Sequence, residues 1–458
     1  MASELWVWMN GQHVGVWRHS RNKISVFQYA TGWAQSPAAR ALSLSLPMTA
    51  GNAEIRGQVV ENYFDNLLPD SQPIRDRIRQ RFRTPSTQAF ELLEAIGREC
   101  VGAVQLLPPG IEPTDWNQIN SEVLNSAQVA SQLRAASTSM PMGQRHESEI
   151  DFRISIAGAQ EKTALLRFGG RWHRPLGSTP TTHILKLPLG LVGNMLADMH
   201  DSVENEWLCS KILQALGFKV ASTDMQMFED QKALVVERFD RRWQNIPERA
   251  QDKRSFVPNP DTWIARLPQE DFCQIAGVAS SQKYETDGGP GIRHGLDYLA
   301  GSQDAGADRA NFVLAQLAFW LMAATDGHAK NFSVFLERGT TYRMTPLYDV
   351  LSAWPIIGRG SNRLAQQDVK LAMALHAKSA HYKLNDIRLR HWKHLAQTSG
   401  VDGMWEQMLA MVHRVDTAFS TVEGQLPANF PASVWASIRV GTQKHAAQFL
   451  REVQLPHP

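Results

Sequence analysis

The feature that most constrains the fold of this chain is an apolar run that ends in a short polar loop. The run covers Val313–Thr325, and the loop continues to Asn331. The run is shorter than the ~20 residues that span a bilayer, and Gln316 interrupts it. We therefore expect an apolar helix that does not cross a membrane and that leads into the polar loop.

The loop has the residue spacing of a phosphotransferase. Asp326 and Asn331 lie five positions apart, as the base Asp and the metal-binding Asn do in a kinase catalytic loop. Phosphoryl transfer needs a carboxylate to accept the hydroxyl proton and a second oxygen ligand for Mg²⁺. Phe332–Glu337 and Tyr342–Thr345 predict a hairpin whose outer ends meet, so that Asn331 and Asp349 could share one metal. The alternative is a polar turn after a helix, with Asp349 capping the next helix.

Two upstream segments are compatible with nucleotide binding. Ser155–Lys162 joins two strand-like runs, and a turn of small residues there can place backbone N–H groups over phosphates. Its single glycine also suits an ordinary hairpin, and the segment is not a Walker A loop. Lys186 lies in the apolar run His183–Leu187, and the next predicted helix carries Glu204 and Glu206. In kinases such a Lys pairs with the phosphates and with a helix Glu, although an edge-strand Lys can also reach solvent.

Val236–Asp240 is an apolar strand that turns polar, as a hinge strand that faces adenine does. Each of these signals is modest alone. Their order along the chain is glycine loop, strand Lys, helix Glu, hinge, catalytic Asp and Asn, and metal Asp, which is the kinase order.

Length and patterning predict an α+β protein of several domains. At roughly 100–200 residues per domain, 458 residues predict two to four. The first residues favour strands, with a hairpin turn at Asn10-Gly11 and helices at Gln58–Leu68 and Gln72–Phe82. We expect an N-terminal α+β subdomain over 1–107, a linker over 108–150 with one helix near Ser121–Ala135, a β-rich lobe over 151–262 and a mainly helical lobe over 263–458.

Charge and cysteine content exclude some classes of protein. The net charge of +2 does not argue for a nucleic-acid-binding protein as a whole, although a basic patch remains compatible with it. Cys100, Cys209 and Cys273 are an odd number without CxxC spacing, so we expect buried, reduced thiols rather than disulfides or a zinc site. The N-terminus has no secretory pattern, and we expect a cytoplasmic protein with no membrane partner.

At this point the sequence resembles the HipA-type toxins, bacterial serine/threonine kinases with a two-lobed fold akin to protein and lipid kinases. The matching segments lie in order along nearly the whole chain. They are SLSLPM at Ser43–Met48, NYFDNLLPD at Asn62–Asp70, DFRISIAGAQEKTALL at Asp151–Leu166, THILKLP at Thr182–Pro188, VERFDRRW at Val236–Trp243, RLPQEDFCQ at Arg266–Gln274, KYETDGGPG at Lys283–Gly291, ATDGHAKNFSVF at Ala324–Phe335 and TPLYDVLSA at Thr345–Ala353.

The resemblance implies roles for individual residues. Asp326 is implied as the base, Asn331 and Asp349 as Mg²⁺ ligands, and Lys186 as the ATP lysine, with Glu206 as its helix partner. His328 and Lys330 are implied to order the catalytic loop or to contact phosphate. Ser155 matches a serine that such kinases autophosphorylate, which expels the phosphate loop and silences the enzyme. The remaining implied ATP contacts are Ala157, Gly158, Ala159, Gln160, Glu161 and Lys162 in the loop, and Glu237, Arg238 and Phe239 in the hinge.

The resemblance also implies partners. The family antitoxin, HipB, is a small helix-turn-helix protein that holds the toxin inactive on operator DNA and co-represses the operon. The best-known family substrate is glutamyl-tRNA synthetase, an aminoacyl-tRNA synthetase whose phosphorylation stalls translation and favours persistence. The stretch Asn245–Asp261 looks long for the family. A small-molecule or lipid kinase and a catalytically silent co-repressor remain as alternatives, the latter disfavoured by the intact set of catalytic residues.

Two basic stretches bear on these partners. The first is an arginine-rich helix that contains Arg75, Arg77, Arg79, Arg81 and Arg83. Residues two apart do not share a helix face, so the positive charge is spread around the helix. We therefore interpret it as a solvated or partner-facing surface rather than a DNA contact. The stretch from His376 to His394 is the better candidate for phosphate contacts with operator DNA.

Overall fold

The computed structural model describes residues 4–20, 22, 24–137, 160–192, 197–246, 256 and 258–454. Backbone contacts divide the chain into two compact units, each built from several segments. The first contains Met1–Leu187, Gln226–Ser281 and Val334–Thr341. The second contains Pro188–Met225, Gln282–Ser333 and Tyr342–Pro458.

The first unit opens with a five-stranded antiparallel sheet in the order β4-β3-β2-β1-β5. Its strands and helices are β1 (Glu4–Met9), β2 (Gln12–His19), β3 (Ser25–Tyr29), α1 (Thr31–Ala34), β4 (Ile55–Arg56), α2 (Gln58–Asp65), α3 (Gln72–Phe82), α4 (Ala89–Ile96) and β5 (Val104–Leu107). The predicted Asn10-Gly11 hairpin is confirmed. Both turn residues have positive φ, 46° and 76°, as a two-residue turn between twisted strands requires.

An aromatic cluster forms the core beneath this sheet. The rings of Trp17 and Phe64 are stacked with centroids 4.0 Å apart, and Phe90 meets Trp17 edge-on at 4.9 Å. The first pair joins β2 to α2, and the second joins β2 to α4. Large buried aromatic rings supply most of the apolar area that holds helices on a sheet.

The next part of the chain forms a second sheet and includes one segment, Pro188–Met225, that belongs to the second unit. The elements that follow are β6 (Ser121–Leu124), α5 (Ser126–Ser137), β7 (Lys162–Phe168), β8 (Arg171–Pro175), β9 (His183–Lys186), β10 (Gly190–Val192), β11 (Ala197–Met199), α6 (Ser202–Ala215), β12 (Thr223–Phe228) and β13 (Gln231–Glu237). Six of these strands form one sheet in the order β12-β13-β9-β7-β8-β6. Helix α5 packs on it through Val129 and Leu133, against Leu165, Leu185 and Val235.

Part of the stretch predicted as a linker belongs to this sheet. Ser121–Leu124 pairs antiparallel with β8, although the sequence predicted a helix from Ser121. The helix begins only at Ser126. The strand is short and its two middle residues are both exposed, so its pattern gives little local signal, and pairing with β8 decides its conformation.

The rest of the chain is mainly helical. Its elements are β14 (Arg241–Gln244), β15 (Trp263–Arg266), β16 (Gln269–Asp271), α7 (Phe272–Ala276), α8 (Ile292–Leu299), α9 (Ala305–Met322), β17 (Ser333–Leu336), β18 (Tyr342–Met344), β19 (Lys370–His376), β20 (Ala380–Lys383), α10 (Leu389–Thr398), α11 (Met404–His413), α12 (Val415–Glu423) and α13 (Ala432–Gln454). The hairpin β19–β20 was not predicted. Among the described helices, none is both long enough and apolar enough to cross a bilayer.

Candidate active site

The polar loop follows α9, as predicted. Helix α9 buries most of its length and ends at Ala323, whose backbone is left-handed with φ 49°. The N–H of Ala324 then donates to the carbonyl of Phe319 at 2.8 Å and closes the helix end. At Gly327 a Cβ would lie 2.5 Å from the ring of Phe319, so the loop approaches the helix more closely than a side chain allows.

The carboxylate of Asp326 points outward while its backbone anchors the loop. The Asp326 side chain is 56 % exposed. The backbone carbonyl oxygen of Asp326 accepts hydrogen bonds from the backbone N–H of His328 at 2.8 Å and from Nδ2 of Asn331 at 2.7 Å. Asn331 lies in a single 3₁₀ turn, Ala329–Asn331. This arrangement presents one accessible carboxylate on a loop whose other polar residues, His328, Lys330 and Asn331, are buried.

A tyrosine outside the predicted site contacts the Asp326 carboxylate. The hydroxyl of Tyr284 donates to Oδ1 of Asp326 at 2.5 Å, and Nε2 of His328 lies 3.9 Å from the same oxygen. Tyr284 lies in the segment Lys283–Gly291, which resembles the HipA-type toxins, but the sequence predicts no role for it. The nearby pair Gly288-Gly289, which predicts a tight turn, is a local signal that could have drawn attention to this tyrosine.

The segment that carries Asp349 is tied to the Asp326–Asn331 loop and the strand after it by its neighbour, Tyr348. The hydroxyl of Tyr348 donates to the carbonyl of Lys330 at 2.8 Å and lies 2.6 Å from Oγ of Ser333. The N–H of Thr345 donates to the carbonyl of Ser333 at 2.9 Å, so the outer ends of the predicted hairpin do meet.

Asp349 itself is in a left-handed conformation with φ 59°. Such a φ is uncommon outside glycine, and strained residues of this kind cluster at functional sites. The interpretation of Asp349 as a helix cap is wrong, because the next helical turn is Trp354–Ile356 and its N-cap residue is Ala353.

Helix α6, which carries Glu204 and Glu206, is fastened to the segment after Asp349. Between these two buried glutamates, Asn205 donates through Nδ2 to the carbonyl of Ser352 at 2.8 Å and accepts from its N–H at 2.9 Å. The hydroxyl of Ser352 donates to the carbonyl of Met322, at the end of α9, at 2.6 Å. Three chain segments of the second unit therefore meet at one serine.

Lys186 occupies the centre of the six-stranded sheet in the first unit. Strand β9 lies between β13 and β7, and the Cα partners of Lys186 are Leu234 and Lys162. The side chain of Lys186 is buried. The alternative of an edge-strand lysine in solvent is therefore wrong.

The end of the predicted phosphate loop contacts the end of strand β9. Nε2 of Gln160 donates to the carbonyl of Leu187 at 2.5 Å, and the N–H of Leu187 donates to the carbonyl of Glu161 at 3.2 Å. The carboxylate of Glu161 forms an ion pair with Arg77 of α3. The predictions for Ser155, Ala157, Gly158 and Ala159 fall outside the described residues.

Within the predicted hinge, only Glu237 is exposed. Arg238 is buried, its N–H donates to the carbonyl of Thr182 at 2.9 Å, and its guanidinium contacts Asp240 at 2.7 Å and Glu99 at 3.2 Å. The Arg238 side chain is therefore part of a buried cluster of ion pairs. Phe239 meets the ring of Phe335 edge-on at 5.8 Å.

Sequence reasoning missed this buried cluster, which is centred on Glu99. Oε1 of Glu99 lies 2.9 Å from Arg241, and Oε2 lies 2.6 Å from Arg266. Thr181 adds hydrogen bonds to Oε1 from its N–H at 3.1 Å and its hydroxyl at 2.9 Å. Burial opposes ionisation of Glu99, but the three guanidinium groups of Arg266, Arg241 and Arg238 outweigh it and hold its pKa well below the usual range.

Comparison with known proteins places these features in a family. Residues 154–422 match the family model of the HipA-like C-terminal domain, and residues 5–107 match the model of the HipA N-terminal domain. The chain is 28 % identical over 337 residues to the serine/threonine-protein kinase toxin HipA of Shewanella oneidensis, covering 71 % of this chain and 69 % of the relative. It is also 28 % identical over 396 residues to the protein Y4mE of Sinorhizobium fredii, covering 86 % and 85 %.

A solved structure confirms the predicted α+β fold class. It is HipA of Shewanella oneidensis, determined in a complex of HipA, HipB and operator DNA. The two structures superpose with a TM-score of 0.76 at 23 % identity, and the match covers 98 % of each chain. Since one family model spans more than half of the sequence and the other covers its N-terminal region, the chain belongs to the HipA family.

Proposed function

We propose that this protein transfers the γ-phosphoryl group of ATP to a serine or threonine hydroxyl of another protein. The observation that carries the proposal is the catalytic loop. Asp326 is exposed, while Asn331 is buried and folded onto the Asp326 carbonyl at 2.7 Å. That geometry offers one carboxylate to an incoming hydroxyl and holds a second oxygen-bearing side chain in a fixed position.

The chain's own residues suit this reaction. Asp326 would accept the proton of the attacking hydroxyl, a contribution typically of about 10²–10⁴-fold. The buried Lys186 would bind the ATP phosphates, as the strand lysine of kinases does. Glu237 and Phe239 would contact adenine, and His328 and Lys330 would keep the catalytic loop ordered.

The donor set also fits Mg²⁺. The amide oxygen of Asn331 and the carboxylate of Asp349 are the hard ligands that this cation prefers. Because Nδ2 of Asn331 already donates to Asp326, the amide oxygen is the atom left to face a cation. Magnesium would neutralise the charge of the phosphates.

We further propose that the chain is the toxin of a toxin–antitoxin pair. The relative from Shewanella oneidensis is named a kinase toxin, and its structure was determined with HipB and operator DNA. By analogy, a helix-turn-helix antitoxin would hold this chain inactive and co-repress the operon with it. The basic stretch on β19, β20 and α10, which includes His376, Lys383 and Arg388, is the surface we propose to approach DNA phosphates.

The substrate and the control of activity are finer proposals. An aminoacyl-tRNA synthetase, with glutamyl-tRNA synthetase as the first candidate, would be phosphorylated, and translation would stop in the cytoplasm. Autophosphorylation at Ser155 would silence the enzyme.

The test of the proposed function is transfer of label from [γ-³²P]ATP. Purified full-length protein is incubated with ATP and Mg²⁺, alone and with glutamyl-tRNA synthetase, and the labelled residue is identified by mass spectrometry. We expect phosphoserine on protein and no label with Asp326→Asn. Label on lipid or on small molecules alone would instead support a different kinase class. A short helix-turn-helix reading frame next to the gene would support the toxin–antitoxin pairing.

A further inference from the structure

Tyr284 makes the shortest side-chain contact to the exposed carboxylate of Asp326 among the described residues. The hydroxyl donates to Oδ1 at 2.5 Å. Hydrogen bonds to an ionised acceptor are stronger than those between neutral groups, and they fix the direction of the acceptor. A carboxylate that is 56 % exposed would otherwise be free to change rotamer.

The described contacts at this carboxylate all fall on one oxygen. Tyr284 reaches Oδ1, and Nε2 of His328 lies 3.9 Å from the same atom. The other oxygen, Oδ2, is therefore the one presented for an incoming hydroxyl. A general base needs one acceptor oxygen at a fixed position within hydrogen-bond reach of the proton that it removes.

Tyr284 is fixed to the catalytic loop at more than one point. The carbonyl of the preceding residue, Lys283, accepts a hydrogen bond from the N–H of Ala329 at 3.1 Å. The tyrosine ring meets the His328 ring edge-on with centroids 5.0 Å apart, and Nζ of Lys283 lies 5.5 Å from the tyrosine ring centroid. The hydroxyl, the ring and the backbone therefore all face the same loop.

The following residue anchors the segment from the other side. Glu285 accepts hydrogen bonds from the N–H of Ala374 and from Nε2 of His376, both at 2.6 Å. Both donors belong to β19. The tyrosine thus lies between an anchor on a strand and an anchor on the catalytic loop.

Glycines shape the turn that holds Tyr284 in place. The N–H groups of Asp287 and Gly289 both donate to the carbonyl of Tyr284 at 3.0 Å. Gly288 has φ 91°, and a Cβ on Gly289 would lie 1.9 Å from the carbonyl oxygen of Gln282. Glycine suits both positions, and the two hydrogen bonds to the Tyr284 carbonyl hold the turn beside the catalytic loop.

We propose that Tyr284 is a positioning residue for the base Asp326. Its hydroxyl holds Oδ1, so that Oδ2 faces the acceptor hydroxyl in phosphoryl transfer. This inference rests on the kinase function proposed above and adds to it a residue that acts through the base rather than on ATP.

The test is Tyr284→Phe in the full-length protein, measured by single-turnover incorporation of ³²P from [γ-³²P]ATP. This change removes the hydroxyl and keeps the ring beside His328. We expect the rate constant to fall about 10- to 100-fold, as misplaced catalytic groups typically cause, while the Kd for ATP and the melting temperature change little. Incorporation of p-aminophenylalanine at position 284 restores a donor at the same place and should recover most of the rate.

A matched control removes another tyrosine hydroxyl from the same unit. Tyr342 donates to the carbonyl of Tyr298 at 2.6 Å, and Tyr342→Phe should leave the rate within about twofold of wild type. If wild type labels itself and Tyr284→Phe labels at the same rate, the positioning role is overturned and the kinase function stands. The proposal is also overturned if Tyr284→Phe raises the Kd for ATP by the same factor by which it lowers the rate constant, because the tyrosine would then serve general packing. Failure of p-aminophenylalanine to restore the rate would lead to the same conclusion. A wild type with no transfer to protein would overturn both.

Discussion

Arg77 and Glu161 form an ion pair that links helix α3 to the strand edge beside Lys186. Nη2 of Arg77 contacts Oε1 of Glu161, and both side chains are mostly shielded from solvent, at 22 % and 32 % exposure. The carbonyl of Glu161 in turn accepts the N–H of Leu187, the residue after Lys186. An arginine of the region that matches the HipA N-terminal domain therefore restrains the end of the predicted phosphate loop.

The first prediction is that Arg77→Gln weakens ATP binding without a matching loss of kcat. Partly exposed ion pairs are worth about 0.2–1 kcal/mol, so we expect KM for ATP to rise by about 1.4- to fivefold. The charge swap Arg77→Glu with Glu161→Arg should return KM toward the wild-type value. Arg79→Gln, on the exposed side of the same helix, is the control and should have no effect. An unchanged KM in Arg77→Gln would refute the link.

The second prediction concerns the base. Asp326→Asn should lower phosphoryl transfer by about 10²–10⁴-fold, because the amide cannot accept the hydroxyl proton. ATP affinity should remain nearly unchanged, since the proposed nucleotide contacts come from other residues. Turnover and nucleotide binding are measured on the same preparation, with the exposed Asp297→Asn as control. Turnover within a few-fold of wild type would show that Asp326 is not the base.

The third prediction is that Asp349→Ala abolishes the Mg²⁺ dependence of ATP affinity. Without this ligand the charge of the phosphates is poorly screened at the site. Because Asp349 has a positive φ, Asp349→Asn is the matched variant, as asparagine tolerates that conformation. In a calorimetric titration Asp349→Ala should bind ATP equally with and without Mg²⁺, whereas Asp349→Asn, which keeps an oxygen but loses the charge, should retain only a weakened dependence. Wild-type metal dependence in either would mean that Asp349 serves only the turn.

The fourth prediction is that Ser155 is a self-inhibitory phosphorylation site. A phosphoserine brings about −1.5 to −2 charges at pH 7, which would repel ATP phosphates beside the loop. After incubation with ATP and Mg²⁺, mass spectrometry should find phosphate on Ser155 in wild type and none in Asp326→Asn. The modified protein should bind ATP far more weakly. Absence of the modification, or normal ATP binding by the modified form, would remove this mechanism but leave the kinase proposal standing.

The fifth prediction concerns pH and the buried carboxyl of Glu270. Burial raises its pKa to about 8 from a usual 4.5, although the Ser43 hydroxyl and the N–H of Leu44 both donate to it and oppose the shift. The folded protein therefore holds a proton that the unfolded chain releases between these two pH values. The stabilisation from this proton is complete below about pH 4.5 and is lost as pH rises through about 8.

Glu270→Gln keeps the shape and cannot ionise, so its unfolding free energy should fall less than that of wild type between pH 5 and 8. Urea unfolding at several pH values measures the difference, and Glu94→Gln, a partly exposed glutamate of the same unit, is the control. Parallel pH profiles for wild type and Glu270→Gln would show that Glu270 is ionised in the folded protein.

Turn residues and hydrophobic periodicity in the sequence predicted the strands, helices and turns that depend mainly on neighbouring residues. The structure confirms the Asn10-Gly11 turn, helix Gln72–Phe82 and strand Lys162–Phe168 at or near their predicted bounds. In each, a turn dipeptide or a clear periodicity lies within a few residues, and tertiary contacts agree with it. The roles of Asp326 and Asn331 were predicted in the same way, because their spacing is a property of one loop.

The remaining features depend on residues far apart in sequence. Tyr284 reaches Asp326 across 42 positions, and no local pattern records that contact. The exposed edge strand Ser121–Leu124 and the hairpin β19–β20 depend on partners that only the folded sheet supplies. The contact between the Arg238 side chain and Glu99 could not be predicted for the same reason, since Glu99 lies 139 positions earlier.

The Glu99 cluster has a consequence for how this protein is made. Glu99 leaves the ribosome 139 residues before Arg238 and 167 residues before Arg266. At about 5–20 residues per second, the first of these guanidinium groups follows after roughly 7–30 s. During that time a carboxylate destined for complete burial has no counter-charge, and an unpaired buried charge is strongly unfavourable. We therefore expect the packing around Glu99 to be completed only after the strands that bear these arginines, which belong to the same unit, have been synthesised.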